Sequence, residues 1–337
     1  MLSSAVNLVA AAALLSSSQQ GQPALQAAWR GVAPSLASLQ SGGMPAGVAA
    51  LIDDSGLFIA HSSGLASNQV IATLSDNTIV TLTVQYVDQH TQLALLRANH
   101  WRMGVVKPIS VAGRSPSKGA ILLAATPSGP HLGEFVSDNR VGVMKPSLRY
   151  IPLSEVRLET IDQRVGGSMV FDVGGNLVGI LGATLAAKET GGSAASSLDD
   201  LANQFNNGST FGPRGLTVAY AIGPEVVGRV VKGFRSPQHR AEHPTIGIFF
   251  KASGTGRGVL VDSVLSQSAA AIAGIKPGDL ILEFGGQTVN DPIILASLLF
   301  RQEIGKLVTV RVQRGNEIST VDVRIASDQA PLYLSKS

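Results

Sequence analysis

Residues 268–289 read SAAAIAGIKPGDLILEFGGQTV, and the order of residue types in that stretch decides the fold around it. Ser268 stands before a run of alanines, the pattern of a capped short helix. Gly274 and Pro277-Gly278 mark turns, residues 280–284 form an apolar strand, and Gly285-Gly286 marks a second turn. Downstream, DPIILASLLFRQ (291–302) reads as a helix, and LVTVRVQRG (307–315) with STVDVRI (319–325) reads as a hairpin. Upstream, TIGIFF (245–250) and GVLVDSVL (258–265) read as strands. Residues 244–328 thus predict a small domain, β-rich with two helices, followed by a tail at 329–337.

Before this domain the rhythm differs. SPQHRAEHP (236–244) is polar and proline-containing, as linkers are, and the linker is expected over 231–243. The stretch PEVVGRVVKGF (224–234) predicts a helix opening on Pro224. Residues 187–215 are rich in Gly, Ser and Asn and predict a long loop. From residue 45 to 183, short apolar segments alternate with turns at Asp54-Ser55-Gly56 and Ser75-Asp76-Asn77. Many short strands without long helices between them predict a sandwich or a barrel.

Composition bounds the function. Charged residues are 15% of the 337, against roughly 25% in an average soluble protein, and the net charge is only +3. The 26 Lys and Arg form no basic stripe with interleaved aromatics, so nucleic acid is not an expected partner. The chain has no cysteine, which excludes disulfides, thiolate metal sites and a cysteine nucleophile. None of the six histidines falls in an H-E-x-x-H arrangement; neither a metal nor a cofactor is expected. The apolar run AVNLVAAAALL (5–15) is too short to span a bilayer, which takes about 20 residues. It has the length of a signal-peptide core, so residues 1–23 are read as an export segment, the alternative being an N-terminal helix packed on the body or on a partner. A membrane would be met only through that segment, and the expected location is periplasmic or otherwise extracytoplasmic.

The 268–289 string resembles the PDZ signature: a small-residue helix, a G-[IL]-x-x-G-D turn, a strand and a G-x-x-[VI] turn. The resemblance implies a groove that takes an extended peptide as an added strand. It puts the carboxylate-binding loop at Thr245, Ile246, Gly247 and Ile248, and the groove's apolar wall at Ile294 and Leu298, four apart on a helix. A PDZ domain behind a β-rich region at 24–230 resembles the HtrA (Deg) family of chymotrypsin-fold serine proteases. The supporting strings are DDSGLFIAHSS, VDQHTQLALLRA, IDQRVGGSMVFDVGGNLVGI and VAYAIGPEVVGRVV, in that order. The implied fold is mainly β, a chymotrypsin-like double β-barrel followed by the PDZ domain.

The family's chemistry needs a serine, a histidine that takes its proton and an aspartate that orients the histidine. Counting the family's D-G-x-x-x-T-N-x-H from Gly56 puts Ser63 at the histidine position, with His61 two residues early. Its D-x-x-T-D-L-A becomes Asp88-Gln89-His90-Thr91-Gln92-Leu93-Ala94, leaving Gln92 where the acid belongs. Its N-P-G-N-S-G-G-P-L becomes residues 162–170, leaving Gly166 at the nucleophile. The earlier oxyanion-hole glycine becomes Arg164, which disfavours the same loop shape.

A displaced triad of His61, Asp88 and Ser168 is the alternative. A two-residue shift along a strand keeps the face but moves a side chain by about 6–7 Å. Working nucleophile–base pairs stand at about 2.6–3.2 Å, so several shifts would have to compensate. The expectation is therefore a degenerate, inactive relative that binds protein C-termini or extended peptides, as scaffold or regulator in an assembly or homo-oligomer. The other readings are an active endopeptidase with the displaced arrangement, and a structural subunit that uses the protease fold as an interaction surface.

Overall fold

Small inward-facing residues let six strands close tightly. In the computed structural model, which describes residues 22–104, 106–144, 149–159, 166–182, 184–185 and 216–328, a short helix α1 (Gln22–Val32) leads into the first barrel. Its strands are β1 (Leu36–Ser41), β2 (Met44–Asp53), β3 (Leu57–His61), β4 (Gln69–Leu74), β5 (Ile79–Val87) and β6 (Leu93–Ala98), closed in the order β1-β2-β3-β6-β5-β4. Ala49, Ala60, Ala72 and Ala94 alternate with Leu39, Leu51, Phe58, Leu82 and Leu96 in its interior, the small-with-large mixture a narrow barrel needs. The β2–β3 turn is set by the Asp53 carboxylate, which accepts from the Ser55 amide at 2.8 Å. Gly56 follows at φ +84°, and a Cβ there would stand 2.6 Å from the Trp101 ring. Both backbone conformation and space require glycine at that position.

The second barrel uses β7 (Ser110–Val111), β8 (Ile121–Thr126), β9 (Gly129–Met144), β10 (Arg149–Glu159), β11 (Met169–Asp172), β12 (Asn176–Leu181), β13 (Thr184–Leu185) and β14 (Leu216–Ile222). The path β10-β14-β12-β11-β8-β9 is closed by pairing of β9 with β10, while β7 and β13 add to β12 and β9. Its interior holds Leu122, Ala124, Phe135, Val156, Leu158, Val170, Val178, Leu181 and Ala221. The helix α2 (Pro224–Arg235) then buries Val226, Val227, Val230, Val231 and Phe234, one stripe of a 3.6-residue period. It runs on to Arg235, whose Nε donates to the Ile52 carbonyl at 2.6 Å and so ties the helix to β2.

The chain divides into two units, residues 1–241 and 242–337. In the second lie β15 (Pro244–Thr245), β16 (Ile248–Ala252), β17 (Val259–Val264), α3 (Ala269–Ile272), β18 (Leu280–Phe284), β19 (Gln287–Thr288), α4 (Pro292–Phe300), β20 (Leu307–Arg314), β21 (Glu317–Arg324) and β22 (Ala326–Ser327). The sheet order is β16-β17-β18-β20-β21, with β19 on β18 and a separate β15–β22 pair. Ser268 caps α3, its Oγ accepting from the Ala271 amide at 3.2 Å, and Asp291 caps α4 through the Ile293 amide at 2.7 Å. Ile246, Val259, Val261, Ile281, Phe284, Leu295 and Val310 form the core. The architecture is thus a mainly β double barrel followed by a β-rich domain with two helices. Among the described residues, no helix is long and apolar enough to cross a membrane.

Candidate functional site

The positions that the resemblance leads one to expect for a serine protease's working residues lie on three segments: the end of β3, the β5–β6 turn and the loop before β11. His61 ends β3, is 3% exposed, and caps the single turn 62–64. Its Nδ1 accepts from the Ser63 amide at 3.2 Å and lies 2.8 Å from Ser63 Oγ. With Nδ1 accepting from the amide, the proton of the neutral ring sits on Nε2, a buried atom without a hydrogen-bond partner. The ring lies against the backbone of Gly182, where a Cβ would come within 2.8 Å of Nε2. Ser63 itself is exposed.

The β5–β6 turn is bound to that segment. Gln92, at φ +59°, accepts from the Ser62 amide at 2.8 Å and, through Oε1, from the Ser62 hydroxyl at 3.0 Å. Asp88 is buried, and its carboxylate accepts from the Thr91 hydroxyl, from the Thr91 amide at 3.2 Å and from the His90 amide at 3.4 Å. Among the described residues it makes no hydrogen bond to His61, whose ring is partnered by Ser63.

On the third segment, Gly166 is exposed and a Cβ there would meet nothing within 4 Å. Gly167, at φ +74°, crosses Gly47 so closely that a Cβ on Gly47 would stand 3.0 Å from the Gly167 carbonyl oxygen; that oxygen accepts from the Val48 amide at 2.9 Å. Ser168 is fully buried, and its Oγ has no hydrogen-bond partner among the described residues. It immediately precedes β11, two residues before Val170, which faces the interior of the second barrel. Its backbone oxygen accepts from the Leu181 amide at 2.9 Å, and Leu181 is another interior residue. The structure therefore brings Ser63, His61, Ser62 and Gln92 together, and leaves the Asp88 carboxylate and Ser168 hydroxyl bonded to neither ring nitrogen. Arg164, residues 1–21 and the 187–215 loop lie outside the described residues. Among the described residues, no group of three or more His, Asp or Glu is placed to hold a metal.

Burial pulls the His61 pKa from 6.5 down to about 4. The native ring is neutral, whereas the unfolded chain protonates near the ordinary value. Stability tied to this ring is therefore complete above about pH 6.5 and drains as pH falls toward 4, a total loss of about 3 kcal/mol. His61→Asn keeps a cap acceptor but cannot titrate. Urea unfolding of the barrel domain at pH 7 and pH 4.5 should show a larger loss for wild type than for the variant. Parallel losses in both would contradict the buried, neutral ring.

In the second unit, β16 pairs with β17 on one side, its other edge is unpaired among the described residues, and α4 runs alongside it. Gly247, at φ +77°, turns the chain between β15 and β16. The carbonyls of Ile246 and Gly247 accept from the Ala270 and Leu265 amides, each at 2.9 Å. Across a trans peptide the N–H points opposite to the C=O, so the Gly247 and Ile248 amides point away from those donors. The Gly247 amide donates to Thr245 Oγ1 at 3.1 Å. Ile248 and Leu298 pack on the core at the groove floor, and Ile294 stays 40% exposed on α4. A Cβ at Gly247 would stand 2.3 Å from Ser268 Cβ, so a bulky residue there would disrupt the loop itself and not merely obstruct a ligand.

The chain thus carries a double β-barrel and, after it in sequence, a β-rich domain in which one edge of β16, beside α4, is unpaired among the described residues. The PDZ domain family profile matches residues 244–325. The Serine protease Do-like HtrA of Lactococcus lactis subsp. cremoris is 25% identical over 284 residues, covering 78% of this chain and 65% of that protein. The chain thus spans 65% of the length of the curated relative it matches. The solved HtrA-type protease AlgW with decapeptide superposes with a TM-score of 0.60 at 18% identity, covering 91% of this chain and 99% of that one. The serine endoprotease from Yersinia pestis does so at 0.54 and 19%, covering 90% and 97%. In architecture the chain is HtrA-like, with a C-terminal PDZ domain.

Proposed function

We propose that the chain is an HtrA-like protein without protease activity that binds protein C-termini or extended peptides through its PDZ groove, as scaffold or regulator in an assembly. The observation that carries this reading is how the three groups a serine protease must join are engaged. Asp88 is held by Thr91 and His90, His61 by Ser63, and Ser168 is fully buried with its hydroxyl unpartnered among the described residues. At the aligned nucleophile position, Gly166 has no side chain.

The feature nearest to a working pair is Ser63 Oγ against His61 Nδ1 at 2.8 Å. It argues little for hydrolysis, because an imidazole held at about 4 is a weak base at neutral pH. The same nitrogen also caps the following turn. Export to an extracytoplasmic space belongs to the same proposal and rests on the apolar run at 5–15.

The groove supports the binding half. The Gly247 and Ile248 amides point away from the Ala270 and Leu265 donors, and a terminal carboxylate bound there would replace or share the Thr245 hydroxyl. Ile248, Ile294 and Leu298 offer apolar surface to the last side chain, worth about 1.5–3 kcal/mol when one such side chain is buried. Peptides with a free C-terminus and a large apolar last residue should bind in the micromolar range, as a short added strand does. Calorimetry should find the C-terminally amidated versions at least about tenfold weaker, the loss expected when a charge-assisted hydrogen bond is removed. Equal binding of both forms would refute the carboxylate site and leave the structural-subunit reading.

A further inference from the structure

Phe249 is 58% exposed in the middle of β16, between Ile248 and Phe250, which both pack on the core. Its cross-strand neighbour on β17 is Ser263, too small to cover an aromatic ring. On its other side lies the free edge of β16. The ring therefore stands uncovered directly beside the place where a strand would be added.

Register then says which ligand residue meets it. A peptide added antiparallel to β16, with its carboxylate at the Gly247 and Ile248 amides, sets its last residue beside Ile248 and its penultimate residue beside Phe249. Directly opposed residues of an antiparallel pair point to the same face. The last side chain then turns toward α4, and the penultimate one turns onto the Phe249 ring. We propose that Phe249 selects the penultimate residue of the bound C-terminus, favouring an aromatic or large aliphatic side chain. This rests on the peptide-binding reading above and adds a second point of selection to it.

The test uses the full chain and N-terminally labelled hexapeptides ending in Phe-Val, Ala-Val and Asp-Val, each as free acid and amide. Wild type should bind the Phe-Val acid about five- to tenfold more tightly than the Ala-Val acid, as cross-strand aromatic pairs allow, and the Asp-Val acid no better than the Ala-Val acid. Phe249→Ser, a change at an exposed side chain, should bring the three acids within about twofold while keeping the discrimination against amides. A wild type indifferent to the penultimate residue yet sensitive to amidation would overturn this proposal and leave the binding reading standing. A preference that persists in Phe249→Ser would overturn it as well. Acids and amides that bind alike would overturn both.

Discussion

Asp279→Ala should cost the PDZ domain about 2–4 kcal/mol, read as a fall in its urea midpoint. Asp279 is fully buried at the foot of β18. Its Oδ1 accepts from Arg314 Nε at 2.7 Å, and its Oδ2 from Arg314 Nη2 at 2.8 Å and from the Lys276 amide at 2.9 Å. Burial alone would raise the carboxyl pKa, but the Arg314 and Lys276 hydrogen bonds outweigh it and hold the pKa below the ordinary value. Breaking a buried pair costs about 3–5 kcal/mol when the surviving charge stays buried. The Arg314 side chain is half exposed and can rehydrate, which brings the expected loss lower. Arg314 Nη2 also donates to the Gly274 carbonyl at 2.9 Å, so Asp279 organises both ends of the 274–279 turn. A variant within about 0.5 kcal/mol of wild type, the scatter of ordinary surface changes, would contradict this role.

That turn explains why the second domain was legible from its residues. Gly274 and Gly278 both have positive φ, which few other residues adopt, and the aspartate between turn and strand has a fixed partner across the sheet. The β3 segment was legible for the same kind of reason, with its Asp53–Ser55 turn and Gly56 backed by Trp101. Strands β9 and β10 were not. Residues 129–144 carry polar groups on both parities, and bulges at Leu153/Glu155 and Glu155/Val156 break the two-residue period that reading depends on. The proposed triad positions 63, 92 and 166 could be counted from the strings around them and rest on that counting. The surroundings of His61 could not, because its ring is covered by Gly182, far away in sequence, and only the crossing of the two barrels brings them together. The burial of Ser168 depends likewise on pairing with the distant Leu181. Trp29, the only aromatic before Phe58, is buried on α1 within its own unit. Nothing in the spacing QPALQAAWRGV said against what it would pack.

The second large effect is an absence that mutation should not repair. Gly166→Ser has room for its side chain and no positive φ to strain it, so the variant should fold. It should still not cleave, because on the proposed assignment position 63 carries a hydroxyl and position 92 an amide where a base and its orienting acid are required. Losing the base or the nucleophile alone costs a serine protease about 10⁶-fold in kcat, so turnover of unfolded casein by wild type and by Gly166→Ser should match a buffer blank. The most direct measurement is labelling of the native wild-type chain by a fluorophosphonate probe, compared with Ser168→Ala and Ser63→Ala. The account predicts no labelling above that of the heat-unfolded protein. Stoichiometric labelling of the native chain, abolished by either substitution, would contradict it and make that serine a working nucleophile.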